Sequence, residues 1–567
     1  MKTTIRRRGD KEYRYLSLVE AVRVDGRNTH RTLLRLGEAS ELAATGQLDR
    51  IIAALSAHAE GTWLSGADLE ATGAPSVGAV AAVSGYWSRL GLGAHFDAVG
   101  AARGGEHLGD TVFAMVANRL VAPCSKRALV DWMANDIVVP AERAAPSLDQ
   151  CYRALDAVAE SKEATENHLY ARLCDLTNLD LRLVCYDLTS TYFEGDRRPS
   201  DRFASRAFGY SRDHRGDRPQ IVIGLLVTTD GIPIAHHVFA GNTADVSTLP
   251  SVLEDLQSRF GVGAITMVAD RGLISADNVK ALGDKGFGHI LATRLHRDHD
   301  TAAALEASAL PDAIWHPCPD ASSAVCEVAL DGRRFVVALS VARHRRDVAR
   351  TAELVERTAK ELRALEERVR AGRLKDRAKI GASAGRILAH SGVARLFDWE
   401  ITTDGLFLYH YDEAALDYEE RLLAGRYVLG TSLTPAQATA AEVLGAYRRL
   451  LEVESSFRVL KSVLELRPVF HWTEERVRAH VAICVLASVI EALMEADLRT
   501  AGVRDPDLDE QVISPRRALV ELGRIRQATI VAGERHIDVV TRRNALQAKI
   551  LSAFGVDTSA WDRARIS

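Results

Sequence analysis

Apolar and polar residues alternate along 13–36 on both sides of Asp25-Gly26, and this period of two, broken by a turn pair, predicts a β-hairpin. From 40 to 175 the period lengthens, and Ala- and Leu-rich stretches predict helices with breaks near Gly66, Gly73, Gly104-Gly105 and Pro140. At Leu181 the texture changes. LRLVCYD is a continuous apolar run that predicts a buried strand ending in Asp187, and PQIVIGLLVTTDGIPIAHHVFAG predicts two strands joined at Asp230-Gly231. A helix is expected over 245–260, then a buried strand AITMVAD ending in Asp270, a helix near 275–286 and a strand GHILAT. Two more hairpins, turning at Asp331-Gly332 and Asp404-Gly405, flank a charged helical stretch over 345–380, and YVLGTSL returns to a buried strand. Thr434-Pro435-Ala436-Gln437 is a capping box with proline at the first helical position, so a helix should start there and lead into YRRLLEVESSFRVLKSVLEL. The tail, 501–567, reads as polar and helical.

The order β, β-hairpin, α, β, α, β is a mixed α/β layer pattern. Six segments are expected. They are a hairpin and helix (1–60), a helical region (61–178), a first core part (179–300), an insertion of hairpins and a charged helix (301–425), a second core part (426–500) and a helical C-terminal region (501–567). The class is therefore α/β in the core and multi-domain α+β overall.

The formal net charge of −4 rules out a uniformly basic nucleic-acid binder, so any such contact must come from local patches. Seven scattered cysteines without a CxxC pair argue for a reduced, cytoplasmic chain without a zinc site; Cys318 and Cys326 have only His316 nearby. Arg6, Arg7 and Arg8 have no apolar segment behind them, so no signal peptide is read. The longest apolar run, Val481 to Ile490, is about half a membrane span and is expected to be a buried helix, with no membrane partner.

Asp187 and Asp270 each end an apolar strand, where α/β sheets gather ligands; a strand-end aspartate also serves as a plain turn or cap. Tyr447, Glu454, Arg458 and Lys461 fall on one face of the late helix, within about 60° of each other at roughly 100° per residue. That face suits a metal beside a phosphate, and it equally suits ordinary i,i+4 ion pairing. Three converging carboxylates would repel unless cations lay between them, and hard ions such as Mg²⁺ or Mn²⁺ fit oxygen ligands. Residues 197–218 hold seven arginines, Arg212 and Arg215 among them, against three aspartates, with Tyr192, Phe203, Phe208 and Tyr210 in or beside the run. Such a loop suits a DNA backbone and unstacked bases, or it is a solvated surface loop. In FAGNTADVSTL, Asn242, Thr243 and Asp245 precede a helix as caps or as site residues.

With YDLTSTYFEG around Asp187, VADRGLIS around Asp270 and Tyr-x6-Glu-x6-Lys at Tyr447, Glu454 and Lys461, the chain resembles the DDE transposases of bacterial insertion sequences. The last spacing is similar to the Tyr-Arg-Glu-Lys signature of the insertion-sequence-four superfamily, and RPVFHWTEERVRAHVAICVLA after it also resembles that group. The likeness covers roughly 180–490. It implies a ribonuclease-H-like mixed sheet with a β-rich insertion. Asp187, Asp270 and Glu454 would be the catalytic, metal-binding triad, holding two Mg²⁺ or Mn²⁺ ions per active site. Tyr447 and Lys461 would contact DNA phosphates, with Arg212, Arg215 and Arg271 as further DNA-binding residues. The chain departs from the signature at Leu450, where the family has arginine; Arg458, on the same face, is the better substitute and Arg449 the poorer.

The implied function is a cytoplasmic, nucleoid-associated transposase that binds double-stranded DNA, both terminal inverted repeats and target, as a homodimer. It would cleave a phosphodiester and join the freed 3′-hydroxyl to target DNA. The alternatives are a magnesium-dependent nuclease without strand transfer and a non-catalytic regulator descended from a transposase. His236 and His237 read as core packing residues. Trp315 or Trp399 could stack on a flipped base or simply pack in its hairpin.

Overall fold

The computed structural model describes residues 1–9, 11–24, 27–56, 58, 69–105, 107–139, 143, 145–177, 183–194, 203–260, 265–273, 275–293, 299–319, 322–450, 456–508, 511–532, 535–562 and 565–566. It divides into two compact units. One comprises Met1–Ala74, Gln527–Thr541 and Ser559–Ser567; the other comprises Pro75–Arg526 and Arg542–Thr558.

In the first unit, β1 (Lys2–Arg8), β2 (Lys11–Val24) and β3 (Arg27–Glu38) form an antiparallel sheet. Val24 pairs with Arg27, so the strands on either side of the expected turn pair as a hairpin does; Asp25-Gly26 themselves lie outside the described residues. A short strand, β4 (Leu69–Ala71), follows the helices Ala39–Ala44 and Gln47–Ser56.

The second unit holds the apolar runs. Among its strands are β5 (Leu183–Tyr192), β6 (Gln220–Thr228), β7 (Pro233–Ala240), β8 (Thr266–Ala269), β9 (Gly288–Ala292), β10 (Trp315–Pro317), β11 (Ser323–Leu330), β12 (Arg333–Ser340), the pair β13 (Phe397–Ile401) and β14 (Phe407–Tyr411), and β15 (Arg426–Thr431). All but β13 and β14 join one nine-stranded sheet in the order β10-β11-β12-β15-β9-β8-β5-β6-β7. β5, β8 and β9 run parallel, and the flanking pairings are antiparallel. The two hairpins turn at Gly231 (φ 79°) and Gly332 (φ 74°), a backbone region that glycine enters without steric cost.

Alternation along β5 sends Val184, Tyr186 and Leu188 to one face. There they pack with Leu253 and Leu256 of helix Leu249–Phe260 and Leu282 of helix Ala276–Asp284. Cys185 and Asp187 point the other way. Helix Ala440–Arg448 lies across β8, β9, β11, β12 and β15. Its C-cap residue Arg449 sits close enough to Cys185 to oppose the burial that pushes that thiol up to about 12. This helix therefore covers the face that carries Asp187.

Four expectations change. Asp187 does not end its strand: β5 continues through LTSTY, which includes the β-branched Thr189 and Thr191, opposite β6, for five more residues. The hairpin at Asp331-Gly332, expected in a separate insertion, extends the core sheet because β12 pairs with β15. Thr434–Ala438 makes only a turn, with Gln437 bonded back to Thr434; the helix starts at Ala440, where Thr439 and Glu442 form the capping box. The tail is not wholly helical. Besides helices Pro515–Leu522 and Ala545–Ala553 it forms β16 (Gln527–Ala532), β17 (Arg535–Val540) and β18 (Arg565–Ile566), in the sheet order β18-β17-β16-β4. The alternating TIVA and HIDVV runs find partners there that a reading for helical period overlooks.

Helices Val341–Arg370 and Arg377–Ser391 pack with hairpin β13–β14 through Leu362, Leu365, Ile380, Phe397 and Phe407. Trp315 donates its indole N–H to Ser308 O at 3.0 Å, and Trp399 lies 5.9 Å from the Phe407 ring, so both indoles take part in local packing. The apolar run Val481–Ile490 is buried inside helix Glu474–Thr500. No helix among the described residues is long and apolar enough to cross a membrane.

Candidate active site

The site is set by strand register. β5 and β8 are parallel, with Leu183 opposite Thr266 and Tyr186 opposite Ala269. Asp187 and Asp270 are the next residues on each chain. Neighbouring strands lie about 4.8 Å apart, so two carboxylate-bearing positions come side by side where β8 stops and β5 runs on. Asp187 is half-buried, and its Oδ1 accepts from the Leu188 N–H at 2.7 Å.

A further acid lies against the turn that follows Asp270. Asp245 opens the 3-10 turn Asp245–Ser247, and a Cβ placed on Gly272, in the turn after Asp270, would lie 3.1 Å from its Oδ2. Asn278 ties the two turns together, donating to Val246 O and Leu273 O at 2.8 Å each. Burial raises the pKa of the Tyr186 phenol, and the charges of Asp187 and Asp245 raise it further. Asp245 is occupied by Arg212, which bonds both its oxygens at 2.7 Å. The Arg212 backbone N–H donates to Ser190 Oγ at 3.0 Å, which seats loop 203–218 on β5. Asn242 and Thr243 do not cap the following turn, whose N-cap is Ala244.

Opposite this brace lies a buried ion cluster. Lys461 Nζ donates to Asp213 Oδ1 at 2.8 Å, and Arg467 bonds the same oxygen. Burial lowers the Lys461 pKa, and Asp213 works against it. Arg215 grips Asp217 at 2.8 and 2.9 Å and lies 5.0 Å from the Tyr192 ring. The Tyr447 ring is 5.8 Å from that of Tyr427 on β15, and the next residue, Arg448, bonds Ser323 on β11. These contacts pin the end of helix Ala440–Arg448 to the extended sheet.

The remaining candidates divide. Arg458 is exposed at the start of a π-helical turn, Val459–Val463, so α-helical angles do not hold at Lys461. Leu450 is buried, so the position where the signature has arginine faces apolar packing. Glu454 falls within 451–455, and the Arg271 side chain is likewise outside the described residues. Among the described residues no three His, Cys, Asp or Glu side chains converge closely enough to hold a metal ion. Sequence reasoning missed Asp213 and Arg467 altogether; the one trace of Asp213 was an aspartate inside an arginine-rich run.

His236 is buried against Glu166 at 2.8 Å, and His237 meets Asp255 at 3.3 Å; both belong to a network with Arg259 behind the sheet.

Two family models match the chain. The IS1634 family transposase N-terminal domain matches residues 1–67, and the transposase DDE domain matches residues 179–490. No curated protein matches it. Among solved structures, a piggyBac transposase synaptic complex with hairpin DNA is similar at 10% identity over 73% of this chain and 70% of that one, with a TM-score of 0.33. A Mos1 transposase paired-end complex with the left transposon end is similar at 9% identity over 29% of this chain and 53% of that one, with a TM-score of 0.14. With a transposase DDE-domain match that spans more than half of its length and an IS1634 family match at its N-terminal part, the chain belongs to the DDE transposases of insertion sequences, enzymes that recombine DNA.

Proposed function

We propose that Asp187, Asp270 and Glu454 hold the divalent ions with which a DDE domain works, two Mg²⁺ or Mn²⁺ per site, and that the enzyme cuts and joins the ends of its own element. The observation that supports this reading is the register of β5 and β8, in which Tyr186 pairs with Ala269, so that Asp187 and Asp270 each follow a paired residue. Two carboxylates so placed are hard oxygen donors that favour a cation between them. The order β7-β6-β5-β8-β9, antiparallel then parallel, supports a ribonuclease-H-like core. Glu454 follows a helix that lies over the Asp187 face, which is where a third ligand is needed.

When bound, the ions neutralise charge on the phosphate and favour attack by an oxygen nucleophile. The chain's own residues orient the DNA. Lys461, Arg458 and Tyr447 contact phosphates beside the cut, and Asp213 fixes the Lys461 ammonium. Arg212 and Arg215 contact the backbone further along loop 203–218, with Arg271 next to Asp270, and Arg458 supplies the cation missing at Leu450. In the first step water attacks phosphorus and the P–O3′ bond breaks, leaving a 3′-hydroxyl on the element and a 5′-phosphate on the flank. In the second, that hydroxyl attacks a target phosphodiester, forms the new ester bond and displaces a 3′-hydroxyl. The unit that includes residues 1–67 would bind terminal inverted repeats, with two copies of the chain pairing the two ends. The insertion-sequence-four signature, apart from Leu450, agrees with this assignment.

The test is a cleavage and joining assay on the element's end sequence with Asp187→Asn, Asp270→Asn and Glu454→Gln. Each should reduce both products to background while end binding persists. Cleavage at the wild-type rate by any of the three would contradict the assignment of that residue, and cleavage without joined product by the wild type would favour a nuclease.

A further inference from the structure

Phe208, Tyr210, Phe470 and Trp472 are 51, 83, 65 and 52% exposed, although aromatic side chains of this size gain most by burial. They lie on two loops that meet. The Arg206 guanidinium, on one loop, lies 4.8 Å from the Phe193 ring and 5.8 Å from the ring of Trp472 on the other. Both loops are anchored on the distal end of β5 and β6. The Val469 N–H donates to Tyr192 O at 3.1 Å, the Glu194 N–H to Val469 O at 3.4 Å, and Ala207 pairs with Gln220. Tyr192 is five residues beyond Asp187 on the same strand, about 17 Å at the usual rise. On the stretch between them Ser190 accepts from the Arg212 N–H, the next residue, Asp213, holds Lys461 and Arg467, and the loop 203–218 itself carries four arginines against two aspartates.

We propose that these four rings form a stacking platform for unpaired DNA bases, which lead away from the aspartate pair along β5. Rings interleaved with cations bind a single strand by stacking on base faces and tracking the phosphates. A duplex hides its base faces, so the occupant is DNA with unpaired bases at or beside the cut. The surplus of cations points to a polyanion rather than to an apolar peptide or a second copy of the chain. The placement beside the reacting phosphate rests on the reading of Asp187 as a catalytic carboxylate. The base-stacking itself is independent of it and is measured without metal.

The experiment uses the full chain in EDTA, with a fluorescent dT20 strand and a blunt duplex of the element's end as probes. Phe470→Ala and Trp472→Ala should each weaken dT20 binding about tenfold, from stacking contributions of about 1–3 kcal/mol per base, with duplex binding unchanged. Trp472→Phe should keep dT20 binding, whereas Trp472→Leu, which retains apolar area but no π face, should lose it. The proposal is overturned if dT20 binds equally to all variants, if Leu serves as well as Phe, if duplex and single strand weaken together, or if the substitutions change only self-association. Loss of cleavage in Asp187→Asn with dT20 binding intact would leave the platform standing, and the converse result would remove it alone.

Discussion

Lys461 is held by two opposed effects: burial disfavours its charge, and Asp213 restores it. Asp213→Ala should therefore do more than remove one contact. It would leave Lys461 and Arg467 as cations in a largely buried place without their acid, a change that costs about 3–5 kcal/mol in comparable buried pairs. Denaturant unfolding should show that loss, and a near-neutral result would mean that the cluster is well solvated. Gly241 makes a second residue-scale case. A Cβ there would overlap the carbonyl oxygens of Gln220 and Ala207, both backbone atoms that cannot step aside. Gly241→Ala should displace loop 203–218 and with it the Arg212–Asp245 brace, which limited proteolysis of the loop and reduced DNA cleavage would reveal. At this scale the sequence exposed the two aspartates, because each follows an apolar run. It did not expose the ion cluster. Asp213 and Arg467 are 254 positions apart, and only the folded chain brings Arg467 and Lys461 to one Asp213 oxygen.

Among elements, the helix over the site depends on its start. Thr439 accepts from the Glu442 N–H, and the Glu442 carboxylate reaches back to the Thr439 N–H. Thr439→Ala should cost about 1 kcal/mol, read as a lower melting temperature, and cleavage should suffer more than the stability loss alone explains if this helix positions Tyr447. The hairpins at Gly231, Gly332 and Gly405 were legible because turn chemistry is local, and the buried strands because their apolar runs are continuous. Four features were not. The capping box at Thr434 competes with a second one at Thr439, and local sequence does not rank them. The π-helical turn at Val459–Val463 has no periodic signature. The hairpin β16–β17 is recognised by its pairing with β4, more than 450 positions away in the chain. Whether β11 and β12 belong to an insertion or to the core sheet is decided by their pairing with β15, which no local pattern contains.

In the whole molecule, helix Glu474–Thr500 carries an acid inside its apolar stretch. Burial, with Glu495 nearby, raises the Glu491 pKa from 4.5 to about 7, against the pull of Arg516. Because the folded state holds this proton more tightly than the unfolded one, the penalty is present above pH 7 and is relieved as pH falls from 7 towards 4.5. Glu491→Gln should thus raise the melting temperature at pH 8, leave it nearly unchanged near pH 4.5, and flatten the slope between; an unchanged pH profile would place Glu491 in water. The fold also joins parts that the sequence keeps far apart: two aspartates from adjacent strands, an ion cluster from a distant turn, and a helix that leads into 451–455. The proposed chemistry requires those aspartates to hold metal. The most direct measurement is Mn²⁺ binding to the full chain by electron paramagnetic resonance, with the element's end DNA present. Wild type should show bound Mn²⁺ that Asp187→Asn and Asp270→Asn each abolish or sharply weaken; binding undiminished in both variants would contradict the account.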